Sequence, residues 1–253
     1  MKRTFADKRY TGVLWSVLFN TIFLAFSLAG LQFLSGVPWF LYSGILRAVF
    51  GVMIIYAVNR IYGKSARETI HFQNWKSALT AGTGFIVYFV YFIALFLAGF
   101  KGIAGLSAGL FVSHILFQQI TTGFYEELGY RLLILEGFFY QANKSTAVKL
   151  CYAAVSSVLF GAAHVVTGWS LSRFILTGIV GFAFAAVYLV SRNILIPMVL
   201  HFIYDVFANL AIYVEWNSSS VFNALNSKAD IVLCVTLAIS VIMLVKRESA
   251  ADK

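Results

Sequence analysis

The sequence contains few charged residues. Only 11% of its 253 residues are charged, against roughly 25% in an ordinary soluble domain, whereas 60% are hydrophobic. This balance excludes an ordinary soluble globular domain and indicates a polytopic membrane protein. We therefore predict an all-α fold, a bundle of membrane-spanning helices.

Cysteines and acidic residues are also scarce. Cys151 and Cys234 lie far apart in apolar segments, so we expect neither a disulfide framework nor a cysteine-based metal site. Most of the ten acidic residues fall in tails or loops, which leaves Glu126, Glu127 and Asp205 to be explained. The net charge of +9 is spread over tails and short loops, so we expect contacts with lipid headgroups and no nucleic-acid partner.

Apolar runs of about 20 residues, the length that crosses ~30 Å of hydrocarbon, recur along the chain. They predict about eight spans, and the helix of the fourth run is expected to continue through Glu126 and Arg131 toward Gln141. No linker or convincing internal repeat divides the chain, so residues 1–253 are treated as a single membrane domain. The runs cover residues 12–34, 39–58, 79–100, 103–125, 147–169, 172–190, 194–214 and 229–245.

Basic residues predict the orientation of this bundle. With eight spans, most lysines and arginines fall on the side of the two tails, and the positive-inside rule then places both termini in the cytoplasm. We expect a bacterial plasma membrane, with no indication of the oligomeric state. Residues 60–76, which include His71, are predicted to form an amphipathic helix on the membrane surface.

Three short polar patterns interrupt the later apolar runs. The first is Glu126-Glu127 with Arg131, in which Glu127 and Arg131 are four residues apart and share a helix face. The second places Phe160 four residues before His164, and the third places His201 four residues before Asp205, so that Asp205 can fix the tautomer of the histidine ring. Because ionisable groups at membrane depth are costly, such residues are candidates for a functional site.

The spacing of these patterns allows the residues to meet. Residues 141–146 form the only polar break between the fourth and fifth spans, and the midpoint of Glu127 and His164 lies there. An antiparallel hairpin therefore places both residues at the same depth. His201 lies ~13 Å along its helix from Arg192, nearer the cytoplasmic surface, and a kink at Pro197 is expected to help it converge with the others.

Two carboxylates and two histidines in a dry pocket can activate water in two ways. A glutamate can take a proton from water while histidine positions the molecule or donates to the leaving amine. Alternatively Glu126, His164 and His201 can hold a divalent metal such as zinc with one open position. The single-helix zinc protease pattern His-Glu-x-x-His is absent. A cofactor is therefore left open, and the scheme without metal is the one we expect.

Taken in order, the three patterns resemble the CAAX protease and bacteriocin-processing (CPBP, or Abi) family of intramembrane endopeptidases. The resemblance covers roughly residues 105–215, the expected catalytic core. It implies a hydrolase that cuts a membrane-associated peptide or protein, with Glu126 activating water and Glu127 and Arg131 completing the first motif. It also implies that His164 and His201 are the second-motif and third-motif histidines. The last position, commonly Asn in the prenyl-protein branch of the family, is Asp205 in this chain, which puts an amide-donor role at that position in doubt.

Alternative functions stay open at this point. Some family members resemble self-immunity factors, so a non-enzymatic bacteriocin immunity or membrane scaffold protein is the runner-up. Intramembrane Glu, His and Asp residues also fit a proton-coupled transporter, although no inverted repeat is apparent. We expect His114 to be a helix-packing residue, and Glu136 and Gln141 to face lipid headgroups.

Overall fold

The structure is a computed structural model that describes residues 7–246. Helices dominate it, and nine of the described elements lie before residue 108 or after residue 213. They are α1 (Lys8–Leu31), α2 (Gly36–Tyr62), α3 (Ala66–Thr69), α4 (Trp75–Ala81), α5 (Thr83–Gly99), β1 (Phe100–Ile103), β2 (Val214–Trp216), α12 (Ser220–Asn226) and α13 (Ala229–Lys246).

The segment between these two groups opens with a helical run over residues 108–135, which we call the site helix. It contains two π-helical stretches, in which the backbone hydrogen bonds widen by one residue, a feature often found at functional sites. The run consists of α6 (Ala108–Leu110), a π stretch (Phe111–Gln118), α7 (Gln119–Glu126), a second π stretch (Glu127–Leu132) and α8 (Leu133–Leu135). A 3₁₀ turn (Glu136–Tyr140), α9 (Thr146–Ala163), α10 (Leu171–Ser191), α11 (Leu195–Leu210) and a 3₁₀ turn (Ala211–Tyr213) follow.

The number of spans differs slightly from the prediction. Six helices in the described part are long and apolar enough to cross a membrane, or seven if α4 and α5, which meet at a 59° bend, form one broken span. The predicted fourth span is the site helix, which carries several polar residues between Gln118 and Arg131. An all-α polytopic bundle is confirmed, with only a short antiparallel pairing of β1 and β2 between the ends of α5 and α11.

Helix α10 forms the centre of the bundle. Of the residues in its apolar stretch, 61% are buried within the protein, against 17% for α1. Two glycines allow close backbone contacts between helices of the bundle. A Cβ at Gly123 would lie 2.9 Å from the carbonyl oxygen of Met198, and one at Gly161 would lie 2.6 Å from that of Phe174. Glycine therefore lets α11 pack against the site helix and α10 pack against α9.

Three local predictions were wrong. Residues 60–76 do not form one amphipathic helix, because α2 continues to Tyr62 and only the short α3 follows. Pro197 does not kink α11, since it is the third residue of that helix, where a missing N–H breaks no helical hydrogen bond. Glu136 does not face headgroups, because its side chain is fully buried.

Candidate active site

The adjacent glutamates lie at the junction between two kinds of helix. Glu126 is the last residue of α7, and Glu127 is the first residue of the second π stretch. Their carboxylates point to different partners. Glu127 is fully buried, whereas Glu126 retains 12% side-chain exposure and reaches a cavity.

Glu127 connects Arg131 with His201. One carboxylate oxygen lies 3.2 Å from Nε of Arg131, an ion pair in which the N–H is not aligned with the oxygen. Aromatic rings surround the guanidinium, including that of Phe160 at 4.3 Å and that of Phe184 at 5.4 Å. The other oxygen of Glu127 accepts a hydrogen bond of 2.8 Å from Nδ1 of His201. Glu127 thus orients the histidine ring, a role in which the sequence predicted Asp205.

The orientation of His201 directs its second nitrogen at Glu126. With Nδ1 bonded to Glu127, Nε2 lies 3.7 Å from Oε2 of Glu126 and 3.5 Å from Oδ2 of Asp205. Asp205 is one turn further along α11 and forms no hydrogen bond to the ring. Phe184 stacks on the ring at 4.7 Å between centroids. This packing holds the imidazole in a single plane.

His164 reaches the same point from the end of α9. Its Nδ1 donates a 2.8 Å hydrogen bond to the main-chain carbonyl of Phe160, because a carbonyl can only accept. Nε2 therefore faces the cavity and lies 4.0 Å from Oε2 of Glu126. The Phe160 ring packs against the imidazole at 4.5 Å, so this phenylalanine forms one apolar wall of the site.

The oxygen at which the two histidines point has no partner. Oε2 of Glu126 is buried and accepts no hydrogen bond, which is unusual because buried polar atoms are nearly always satisfied. The distances from this oxygen to the two Nε2 atoms, 3.7 and 4.0 Å, are too long for direct hydrogen bonds. Such spacing fits a small hydrogen-bonding molecule held between these groups, and water is the simplest one.

A cavity of about 420 Å³ adjoins this cluster. Glu126 and His164 line it together with residues from α1 and α2, including Asn20 and Arg47. Neither Asn20 nor Arg47 was among the predicted site residues. Asn20 accepts a 2.8 Å hydrogen bond from the hydroxyl of Tyr125, whereas Arg47 is a single cation within an apolar run. That isolated charge is the signal that could have identified Arg47.

A second cluster of buried charges surrounds Glu136, five residues after Arg131. Glu136 forms an ion pair of 2.9 Å with Nζ of Lys64, pairs with the guanidinium of Arg192 and accepts a 2.7 Å hydrogen bond from the hydroxyl of Tyr188. Burial lowers the pKa of Lys64, while the Glu136 carboxylate acts in the opposite direction. These contacts join the ends of α2, the site helix and α10.

His114 lies among packing neighbours, as the sequence predicts. It is buried, stacks on Phe40 at 4.0 Å and hydrogen-bonds to Tyr213 and Asn209. All of its polar contacts are thus with packing neighbours, away from Glu126.

The side chains of the candidate site lack the arrangement of a metal centre. Within residues 7–246, no group of three or more His, Cys, Asp or Glu side chains has the arrangement that holds a metal ion. The ring nitrogens of His164 and His201 and the carboxylate of Glu126 are ligands that zinc accepts, but their spacing here does not fit a bound ion.

Comparison with known proteins gives one match. Residues 107–207 match the family described as type II CAAX prenyl endopeptidase Rce1-like, and all six predicted site residues lie within this segment. No curated protein and no solved structure matches the chain. The match is consistent with the CPBP family and supports a membrane endopeptidase at the family level. Residues 107–207 of this integral membrane protein are thus similar to the Rce1-like CAAX endopeptidase family.

Proposed function

We propose that the protein is an intramembrane endopeptidase that hydrolyses a peptide bond with water activated by Glu126. The observation that supports this most is the buried, unpartnered Oε2 of Glu126, which faces Nε2 of both His164 and His201 and belongs to a residue that also lines a cavity. A carboxylate arranged in this way has a free basic oxygen, as a general base requires.

The reaction begins with a water molecule between Glu126 and the two histidines. Glu126 removes one proton from this water, and the oxygen attacks the carbonyl carbon of the scissile bond to give a tetrahedral intermediate. When the C–N bond breaks, the proton held by Glu126 passes to the leaving amine. One water is consumed, and the products are a new carboxyl terminus and a new amino terminus.

The histidines place the water for this attack. Because Nδ1 of His164 donates to Phe160, its neutral ring has a lone pair at Nε2 that can accept the second water hydrogen. Glu127 accepts the hydrogen on Nδ1 of His201 and so directs Nε2 of that ring toward Glu126, which makes Glu127 a positioning residue. The Arg131 pair keeps the Glu127 carboxylate in place.

Stabilisation of the oxyanion needs a hydrogen-bond donor. Asp205 has no N–H group, so it can donate only when it is protonated. His201 can donate from Nε2 when it carries two protons, with Glu127 and Asp205 beside the ring to balance the charge. We assign the oxyanion contact to His201 and treat Asp205 as a residue that helps to balance the charge of its protonated ring.

The substrate is proposed to be a membrane-associated peptide or protein. The matched family is described as acting on CAAX prenyl substrates, so a lipidated carboxyl-terminal tail is the first class to test. The cavity volume of about 420 Å³ lies within the range of small-ligand pockets and suits a short peptide segment. We further propose that both termini are cytoplasmic and that the host membrane is a bacterial plasma membrane.

A comparison of membrane peptidomes tests this proposal in cells. Cells that produce the intact protein should contain cleaved products that are missing with Glu126→Ala at equal protein level. Glu215→Ala, which changes an exposed carboxylate on β2, is the matched control and should leave the products unchanged. Identical peptidomes for the intact protein and Glu126→Ala would contradict the proposal, and protection or signalling that survives this change would favour the immunity or scaffold alternative.

Metal dependence needs a separate measurement. Elemental analysis of the purified protein should find no stoichiometric divalent metal if Glu126 activates water unaided. One equivalent of zinc that disappears in both His164→Ala and His201→Ala would instead support the metal-dependent scheme.

A further inference from the structure

A charged residue outside the three motifs lies within the second span. Arg47 is 11 residues from the start of α2 and 15 from its end, and the next charge on that helix is Arg60 near its end. A cation at such depth is costly in a membrane helix and calls for a partner or a function.

The guanidinium of Arg47 has no carboxylate in direct contact among the described residues. Nη1 donates to the main-chain and side-chain oxygens of Ser43, the former at 3.3 Å, and the Phe23 ring lies 5.3 Å from the guanidinium carbon. Nε is buried without a hydrogen-bond partner, and among residues 7–246 no carboxylate forms an ion pair with this arginine. Arg131 and Arg192, by contrast, each pair with a glutamate.

Arg47 faces the same cavity as the catalytic glutamate. It lines the cavity of about 420 Å³ with Glu126 and His164, and its charge interacts over a distance with Glu126 and Asp205. A ligand that reaches Glu126 in this cavity therefore lies close to an arginine with spare hydrogen-bonding capacity.

We infer that Arg47 binds the terminal carboxylate of the substrate and so directs cleavage to bonds near a carboxyl end. This inference rests on the proposed peptidase function and names the substrate class as peptides with a free carboxyl terminus. Ser43 occupies Nη1, which leaves the edge formed by Nε and Nη2 without an acceptor among the described residues. This edge can give two parallel hydrogen bonds to the two oxygens of one carboxylate.

Charge balance favours a chain end over an internal segment. A peptide segment that continues through the membrane in both directions brings no anion to this cavity, so Arg47 would keep only its distant interactions with Glu126 and Asp205. A buried chain end brings one negative charge, and pairing removes two isolated charges from an apolar setting at once. Arg47 is thus proposed as a specificity-determining residue, distinct from the groups that move protons.

Paired peptide probes test this assignment. The probes are dansyl peptides that end in S-farnesylcysteine followed by three aliphatic residues, one with a terminal carboxylate and one with a terminal carboxamide. Binding is measured in nanodiscs with Glu126→Gln protein, which cannot turn the probes over, and cleavage is measured with the protein that retains Glu126. The variants Arg47→Gln and Arg47→Lys are compared in both backgrounds, with Arg60→Gln as an exposed arginine control on the same helix.

The expected result is a preference for the carboxylate probe of about 10- to 100-fold, in binding and in kcat/KM. Arg47→Gln should abolish this preference by weakening only the carboxylate probe, Arg47→Lys should restore part of it, and Arg60→Gln should leave it unchanged. Equal binding of both probes by protein that retains Arg47 would overturn the assignment. If Arg47→Gln lowered kcat equally for both probes, the carboxylate assignment would also be overturned. Arg47 would then act on the oxyanion or on folding.

The two proposals can fail separately. Carboxylate-selective binding that depends on Arg47, without any cleavage by the protein that retains Glu126, would uphold the carboxylate site and contradict the peptidase. Cleavage that depends on Glu126, with no preference between the probes, would uphold the peptidase and overturn the role of Arg47.

Discussion

Two carboxylates ten residues apart on one helical stretch have opposite surroundings. Glu136 is fully buried, and its oxygens meet the cations of Lys64 and Arg192 and the hydroxyl of Tyr188. Glu126 is only slightly exposed, yet its Oε2 has no hydrogen bond and faces ring nitrogens at 3.7 and 4.0 Å. A satisfied carboxylate holds helices together, whereas one with a free oxygen beside a cavity is able to react.

The largest expected difference is in stability. Glu136→Gln leaves Lys64 and Arg192 without their shared counter-charge, so the free energy of unfolding should fall by about 3–5 kcal/mol. Glu126→Gln removes a charge that no hydrogen bond compensates at Oε2 and should not destabilise the protein. Thermal unfolding in identical nanodiscs measures the stability of both variants. Equal losses of stability in Glu136→Gln and Glu126→Gln would contradict the contrast between the two carboxylates.

Glu127 both pairs with a buried cation and orients a catalytic histidine. Its replacement should therefore lower activity less than replacement of Glu126 does. Glu127→Gln weakens the hold on Nδ1 of His201, and the loss of such an orienting contact typically lowers activity by about 10- to 100-fold. It also leaves the buried Arg131 unpaired, which lowers stability.

The double variant Glu127→Gln with Arg131→Met separates these effects. Removing both charges together should recover stability without recovering kcat, as measured by unfolding and turnover on the same samples. Recovery of full activity would show that Glu127 acts only through the ion pair.

Asp205 should give the smallest effect. Asp205→Asn keeps the size of the side chain and adds an N–H donor near Nε2 of His201, so activity should stay within about 10-fold of the original. Asp205→Ala, which removes the polar group, should lose more. Steady-state kinetics on one peptide compares them, and a complete loss in Asp205→Asn would mean that the negative charge itself is required.

Periodic features of the fold could be predicted from the sequence. The long apolar runs correspond to α1, α2, α9, α10, α11 and α13, because a membrane helix needs a length that the bilayer fixes. The bend between α4 and α5, the absence of a helix through residues 63–65 and the straight start of α11 at Pro197 depend on local backbone geometry that hydropathy does not record.

The candidate site was only partly predictable for a related reason. Helical spacing predicted that Glu127 lies beside Arg131 and that His201 lies beside Asp205. The depth of the hairpin predicted that Glu126 lies near His164, and in the structure Oε2 of Glu126 is 4.0 Å from Nε2 of His164. The hydrogen bond from His201 to Glu127 joins residues that are 74 apart in the sequence. The spacing of residues cannot predict which ring nitrogen forms it. Arg47 and Glu136 carry isolated charges, so their partners or lack of partners became visible only once the helices were packed.

The most direct test is cleavage of the farnesylated carboxylate probe by purified protein in nanodiscs. Turnover is measured for the original chain and for Glu126→Gln at equal folded fractions. Water activation by Glu126 predicts that the original chain cleaves the probe and that Glu126→Gln is slower by about 10²- to 10⁴-fold with unchanged unfolding temperature. Cleavage by Glu126→Gln at the rate of the original chain would contradict the central claim.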